Sequence, residues 1–170
     1  TLSTHVFTYQ PHREKEGYGL SMTAVEWLLK EEISLVITLD CGIKDINAAK
    51  KLKQKKIDLI ICDHHNPAEI LPDAFVILNP KQVDCNYNFK ELCGCGIGLK
   101  LIQGYLNHYK ATYDISCAYQ LAAIATTADV VPLIGENRLI VYLGLLSINT
   151  NPISSVKKIW STYPSLISFS

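Results

Sequence analysis

The sequence predicts an α/β fold, in which a mainly parallel sheet is flanked by helices and followed by a helical segment. Apolar runs alternate with stretches of helical spacing, which is the pattern of βαβ units. The two clearest runs, at residues 34–39 and 57–61, lead into the acids Asp40 and Asp63. Because the crossover between such strands is right-handed, the strands are parallel, and their carboxyl ends share the edge where open α/β sheets place ligands.

The strands of this fold are predicted from four apolar segments. A short one lies at residues 5–9, and two others at residues 35–39 and 59–62. The fourth, at residues 75–78, is closed by Asn79 and Pro80. Proline stops a strand because it cannot donate a ladder hydrogen bond.

Five helices are predicted between and after the strands. Ser21 is a good N-cap for the first, at residues 22–32. The second, at residues 44–55, places apolar residues on one face and lysines on the other. The third helix, predicted at residues 93–109, begins with glycines. The fourth, at residues 116–127, is Ala-rich, and the fifth, at residues 136–146, is apolar. After Asn149 the sequence becomes rich in Ser and Thr and reads as a tail.

The composition restricts the class of protein. The chain has 170 residues, a net charge of zero and 48% hydrophobic residues, which is typical of a globular domain. No apolar run approaches the roughly 18 residues that span a bilayer, so no membrane association is predicted. Of the six cysteines, Cys41 and Cys62 lie at strand ends, which favours reduced thiols and a cytoplasmic protein.

The strand ends carry the strongest candidate site. Asp40 alone is more often a helix cap than a metal ligand, and Asp63 with His64 and His65 could cap a turn. With both groups at one sheet edge, the metal interpretation leads. Carboxylate and imidazole together favour a divalent ion of the Mn or Zn type.

Three further features are candidates for binding. Asp129, between Ala128 and Val130, is expected to be partly buried and to need either a cation or a backbone cap as its partner. Arg13 and Tyr18 lie in the first loop, where they would bind a phosphate and a base, or else form an ordinary surface. Two glycines could offer backbone N–H groups to a phosphate or allow tight helix packing: Gly94 and Gly96.

Together these motifs resemble the DHH phosphoesterase superfamily, and within it the RecJ-type single-stranded-DNA exonucleases. The Asp-His-His triplet at residues 63–65 marks the superfamily. The other matching segments occur in the family's order over residues 5–147, at residues 11–13, 16–20, 37–42, 92–96 and 128–133. The segments at residues 13–20 and 129–133 are closer to RecJ than to the pyrophosphatase branch.

The resemblance implies a role for each candidate. Two ions, Mn²⁺ or Mg²⁺, would be bound, with Asp40 bridging them and with His64 and Asp129 as further ligands. His65 would face the scissile phosphate, and Asp63 would orient the imidazoles. Arg13 and Tyr18 would contact the DNA strand near its 5′ end. Gly94 and Gly96 would also contact the DNA strand.

The resemblance also implies a domain organisation. The family's first motif, an Asp-x-Asp pair, is absent and would precede Thr1. We therefore expect residues 1–147 to be a partial DHH catalytic domain and residues 148–170 a tail leading to an absent lobe. A metal site that lacks ligands is loose, so we expect weak or no nuclease activity from this chain alone.

The function implied for the whole protein is 5′→3′ exonuclease hydrolysis of single-stranded DNA in recombination and repair. One alternative keeps the chemistry on a smaller substrate, an oligonucleotide or a cyclic dinucleotide. Another is a non-catalytic nucleic-acid-binding or scaffold domain. No protein partner is predicted.

Overall fold

A computed structural model describes residues 5–162. The chain divides into two compact units, residues 1–85 and residues 86–170. The first unit contains α1 (Arg13–Glu16), α2 (Met22–Leu28), β1 (Leu35–Leu39), α3 (Ile46–Gln54), β2 (Asp58–Cys62) and β3 (Val76–Leu78). The second contains α4 (Gly94–His108), α5 (Ser116–Ala128), α6 (Gly135–Thr150) and α7 (Ser154–Thr162).

The sheet of the first unit is parallel, as predicted, with the strand order β1-β2-β3. Backbone pairing continues past the strand ends. The N–H of Asp40 donates to the carbonyl of Cys62 at 2.8 Å, and the N–H of Asp63 donates to that of Leu78 at 3.1 Å. These bonds hold the two acids at one edge of the sheet.

Helix α2 begins at Met22, as predicted, whereas α3 begins at Ile46 rather than at residue 44, and both are shorter than predicted. The single turn of α1 lies in a segment that was predicted to be a loop. The side chain of Ser21 accepts a hydrogen bond from the N–H of Ala24 at 2.9 Å, as an N-cap does. Helix α2 ends at Leu28 rather than at residue 32, because Lys30 bonds back to Trp27 in a tighter turn. The core of this unit consists of Val25, Leu28, Val36, Ala48, Ala49, Leu52, Ile57, Leu59 and Ile61.

The strand predicted at residues 5–9 is wrong. Residues 5–12 have no regular secondary structure. Instead, the rings of Phe7 and Tyr9 pack on Trp27, with centroids 6.2 and 5.1 Å away. These rings contact a helix while the backbone of the segment pairs with no strand, and Phe7 remains 51% exposed. Local apolar content does not reveal which of these contacts forms.

The second unit is helical, as predicted. Helices α5 and α6 pack closely at Gly144, where an added Cβ would lie 2.3 Å from the Cβ of Ala123. Helix α6 continues to Thr150, and α7 occupies part of the segment predicted as a tail, with Val156 only 6% exposed. The rest of that tail, residues 163–170, lies outside the described residues, so the boundary at residue 147 stays a prediction. Within residues 5–162 no helix has both the length and the apolar character that crossing a bilayer requires.

Candidate metal centre

Asp40 lies at the carboxyl end of β1 in a left-handed conformation, with φ 65°. Its Oδ1 is 3.2 Å from Nε2 of His64, whose side chain is only 11% exposed. The alternative role as a helix cap is excluded, because Asp45 occupies the N-cap position of α3. Residues other than Gly seldom adopt positive φ, and those that do cluster at functional sites.

Asp63 is a buried carboxylate with all its hydrogen bonds made inside the first unit. Its side chain is 1% exposed, and its Oδ2 accepts from the N–H of Ile43 at 2.9 Å. Its Oδ1 accepts from the N–H groups of His64 and His65 at 2.8 and 3.1 Å. Burial alone would raise the pKa of Asp63, but hydrogen bonds from Ile43 and from the ring and backbone of His65 outweigh it, so that this pKa lies below its usual value.

The same carboxylate orients the second imidazole. Nδ1 of His65 lies 2.6 Å from Oδ1 of Asp63. An ionised carboxylate can only accept, so Nδ1 carries the hydrogen and the neutral ring presents the lone pair of Nε2. The resemblance implied that Asp63 orients the imidazoles. The structure shows the contact with His65, and the role stays a prediction.

Asn79 is a positioning residue that the sequence reasoning missed. It is 2% exposed, and its Nδ2 donates to the carbonyl of His65 at 2.8 Å. Its Oδ1 accepts from the N–H of Lys81, so the amide is fixed at both ends. A signal was present, because Asn79 directly follows β3 just as Asp40 follows β1.

Gly42 makes the turn after Asp40 possible. Its φ is +113°, and an added Cβ would lie 2.7 Å from Oγ1 of Thr38 and 3.0 Å from Cγ2 of Ile61. The hydroxyl of Thr38 donates to the carbonyl of Cys41 at 2.8 Å and closes the turn. Only glycine fits both the backbone conformation and the space.

Tyr18 and Arg13, predicted to contact nucleic acid, lie beside the histidines. The hydroxyl of Tyr18 donates to the carbonyl of Asp40 and lies 3.5 Å from Nε2 of His65. The guanidinium of Arg13 lies 5.1 Å from the centroid of the Tyr18 ring, within cation–π range. Burial and the carboxylates of Asp40 and Asp63 raise the pKa of Tyr18, which keeps its hydroxyl protonated as a donor.

The two cysteines at the strand ends are not activated nucleophiles. Burial and nearby carboxylates raise the pKa of the Cys41 thiol to about 12, and burial with Asp63 raises that of Cys62 to about 11. A thiol needs a lowered pKa to react near neutral pH. These side chains therefore fill space beside the site, and within residues 5–162 no cysteine forms a disulfide.

The side chains brought together in the first unit fit a divalent cation. Asp40, His64 and His65 each offer a ligand atom, and these atoms lie within 4.8 Å of one another. Although Nε2 of His64 lies 3.2 Å away, the buried Oδ1 of Asp40 makes no hydrogen bond within residues 5–162, and an oxygen in this state is suited to a cation. One carboxylate and two imidazoles suit Mn²⁺ and related metals. His65, expected to face a phosphate, is thus also a candidate ligand.

The other predicted site residues belong to the second unit. Asp129 is the C-cap of α5 and is exposed, so the expectation that it is buried is wrong. It lies just beyond the last packed turn of the helix. Gly94 and Gly96 are buried in the first turn of α4, and the N–H of Gly96 donates to Sγ of Cys93 at 3.3 Å. A phosphate would have to compete with this thiol, and the roles of all three residues stay predictions.

A parallel sheet whose carboxyl edge gathers a carboxylate and two imidazoles defines an α/β protein with a candidate site for a divalent cation. Residues 2–128 match the model of the DHH family, N-terminal domain. The chain belongs to the DHH family.

Two curated relatives and one solved structure are similar to the chain. It is 45% identical over 144 residues to the single-stranded-DNA-specific exonuclease RecJ of Bacillus subtilis, covering 85% of this chain and 18% of that protein. It is 34% identical to RecJ of Haemophilus influenzae, covering 81% of this chain and 25% of that protein. A crystal structure of exonuclease RecJ bound to manganese matches with a TM-score of 0.77 and 30% identity, covering 89% of this chain and 38% of that one. The chain thus spans a quarter or less of these curated relatives.

Proposed function

We propose that the full-length protein containing this chain is a manganese-dependent exonuclease that hydrolyses phosphodiester bonds of single-stranded DNA. The observation that carries this proposal is the convergence of Asp40, His64 and His65 within 4.8 Å at the edge of the sheet. The relatives named as single-stranded-DNA-specific exonucleases, and the related structure bound to manganese, support the choice of substrate and metal.

Each residue of the first unit then has a task. Asp40 and His64 hold the cation, and Asp63 keeps Nε2 of His65 directed outward. Two such ions, Mn²⁺ or Mg²⁺, when bound would lower the pKa of a water molecule and neutralise charge on the phosphoryl oxygens. Arg13 and Tyr18 hold the strand by its phosphate and base.

The proposal also includes residue roles, a direction of digestion and a compartment that the geometry of the first unit does not address. Asp129 would be a further ligand, and the backbone of Gly94 and Gly96 would bind a phosphate. Digestion would run from 5′ to 3′ and would serve recombination and repair. Cysteines that form no disulfide within residues 5–162 suit a reducing compartment, and we place the protein in the cytoplasm.

The test uses the full-length protein after dialysis against a chelator. Single strands labelled at either end are incubated with and without Mn²⁺, and His64→Ala is compared with His108→Ala, an exposed histidine at the end of α4. We expect Mn²⁺-dependent cleavage from the 5′ end that is lost in His64→Ala and kept in His108→Ala.

Other outcomes would replace the proposal. Cleavage of dinucleotides but not of long strands would indicate the small-substrate phosphodiesterase. DNA binding without Mn²⁺ binding or cleavage would indicate the non-catalytic domain. Equal activity in both histidine variants would remove the assigned metal site.

A further inference from the structure

Two cavities adjoin in the first unit and share part of their walls. The first has a volume of about 320 Å³ and is lined in part by Arg13, Tyr18 and His65. The second has a volume of about 360 Å³ and is lined in part by Met22 and Ile46. Lys44 and Asp45 belong to the walls of both. None of the site residues predicted from the sequence lines the second cavity.

Lys44 is an available cation at the junction of the cavities. It is exposed, and within residues 5–162 no ion pair is formed by it. Its neighbour Asp45 is engaged elsewhere, since its Oδ2 accepts from the N–H of Leu20 at 2.6 Å, and burial raises the pKa of Asp45. This hydrogen bond directs Oδ2 of Asp45 toward the backbone of Leu20. Together with Arg13 on the first cavity, Lys44 gives a positive edge suited to a phosphate.

The second cavity has the character of a site for a base. The side chains of Met22 and Ile46 are 44% and 38% exposed, so each leaves apolar surface on the cavity wall. Asn47, also on the wall, carries an amide that can both donate and accept. A flat aromatic base attached to a charged phosphate matches this combination of apolar wall, amide and ammonium group.

We propose that the second cavity is a nucleotide subsite that binds the base of the residue next to the one held in the first cavity, with Lys44 on the phosphate that joins them. This inference rests on the proposed function, because it takes single-stranded DNA as the ligand. It assigns Lys44 and Met22 as residues that position the substrate rather than react with it.

The first test measures how salt affects the binding of fluorescently labelled single-stranded DNA to the full-length protein. For single strands, each phosphate contact adds about 0.7 to the slope of log affinity against log salt. We expect Lys44→Ala to reduce the slope by about that amount and to weaken binding roughly tenfold at low salt. Lys50→Ala, an exposed lysine of α3 outside both cavities, should match the wild type.

The second test moves a single abasic site along the labelled strand. We expect wild-type affinity to fall severalfold at one particular position, where the base would occupy the second cavity, because its apolar contact with Met22 and Ile46 is lost there. Met22→Ala should weaken binding of the intact strand and remove the dip at that position. A loss of folding would instead weaken binding at all positions equally.

The outcomes separate the inference from the proposed function. The subsite alone is overturned if the wild-type protein cleaves single-stranded DNA but Lys44→Ala has the same salt slope as the wild type. It is also overturned if the wild-type affinity is the same for every position of the abasic site. A wild-type protein that neither binds nor cleaves single-stranded DNA overturns both.

Discussion

Oδ1 of Asp63 and Nδ1 of His65 lie 2.6 Å apart, which makes a buried carboxylate the support of an imidazole that is 40% exposed. The pairing fixes which nitrogen of His65 faces outward. It places the acid of the Asp-His-His triplet behind the site rather than within the ligand cluster. Four predictions follow from this and from neighbouring contacts.

Asp63→Asn should lower Mn²⁺ affinity or DNA cleavage by about 10–100-fold in the full-length protein, because the ring of His65 loses its ionised acceptor. The side-chain NH₂ of the new asparagine would also face one of the buried N–H groups that now donate to Asp63, which costs about 1–3 kcal/mol of stability. Calorimetric titration with Mn²⁺ and thermal unfolding measure the two effects. Asp58→Asn, at the exposed start of the same strand, is the matched control and should change neither. Unaltered metal binding and cleavage in Asp63→Asn would contradict the positioning role.

Asp40→Ala should abolish turnover because the cation loses a carboxylate ligand. The positive φ at Asp40 adds a backbone cost of about 1–2 kcal/mol for alanine. Asp40→Asn isolates the loss of charge, since asparagine tolerates this conformation. We expect Asp40→Asn to keep its melting temperature and to lose Mn²⁺ binding and cleavage. Cleavage at the wild-type rate in Asp40→Asn would show that the carboxylate is not a ligand.

Gly42→Ala should destabilise the first unit by about 1–3 kcal/mol, because the Cβ meets Thr38 and Ile61 and the φ of +113° is unfavourable. Gly104→Ala is the control, for which we expect an increase in stability instead of a decrease. Its position in α4 has open space around the Cβ, and alanine should stabilise that helix by about 0.5–1 kcal/mol. Denaturant unfolding followed by circular dichroism measures both. Equal stability of the two variants would refute the steric reading of this turn.

The loop that carries Arg13 and Tyr18 should loosen in acid. The backbone N–H of His12 and the hydroxyls of Ser21 and Tyr9 donate to Glu16 and lower its pKa. Because the folded pKa is lower than the unfolded one, the stabilisation is present above the unfolded value of about 4.3 and is lost as the pH falls through the folded value.

Amide hydrogen exchange at His12 measures this loss. We expect protection to decrease on acidification, after correction for the intrinsic pH dependence of exchange. Glu16→Gln should show weaker protection and no such transition, whereas Glu14→Gln, an exposed neighbour, should behave as the wild type. A transition that persists in Glu16→Gln would assign it to another group.

The strands that carry the site were predictable because each is encoded by a short apolar run in the sequence. Strand β1 was predicted with its observed bounds, and β2 within one residue. The N-cap at Ser21 was predicted for the same reason, since a cap depends on residues three positions apart. The segment at residues 5–9 failed because a strand needs a partner, and apolar content does not specify one.

The sequence by itself determined that Asp40 and the Asp-His-His triplet end neighbouring parallel strands, because alternation, crossover hand and strand length are encoded over short stretches. Three features depend on the folded chain: which atom of Asp63 supports which histidine, the contact of Tyr18 with the carbonyl of Asp40, and the exposure of Asp129. The contact of Tyr18 with Asp40 joins groups that are far apart in the chain, and all three features depend on side-chain direction and packing. No local sequence pattern specifies that packing.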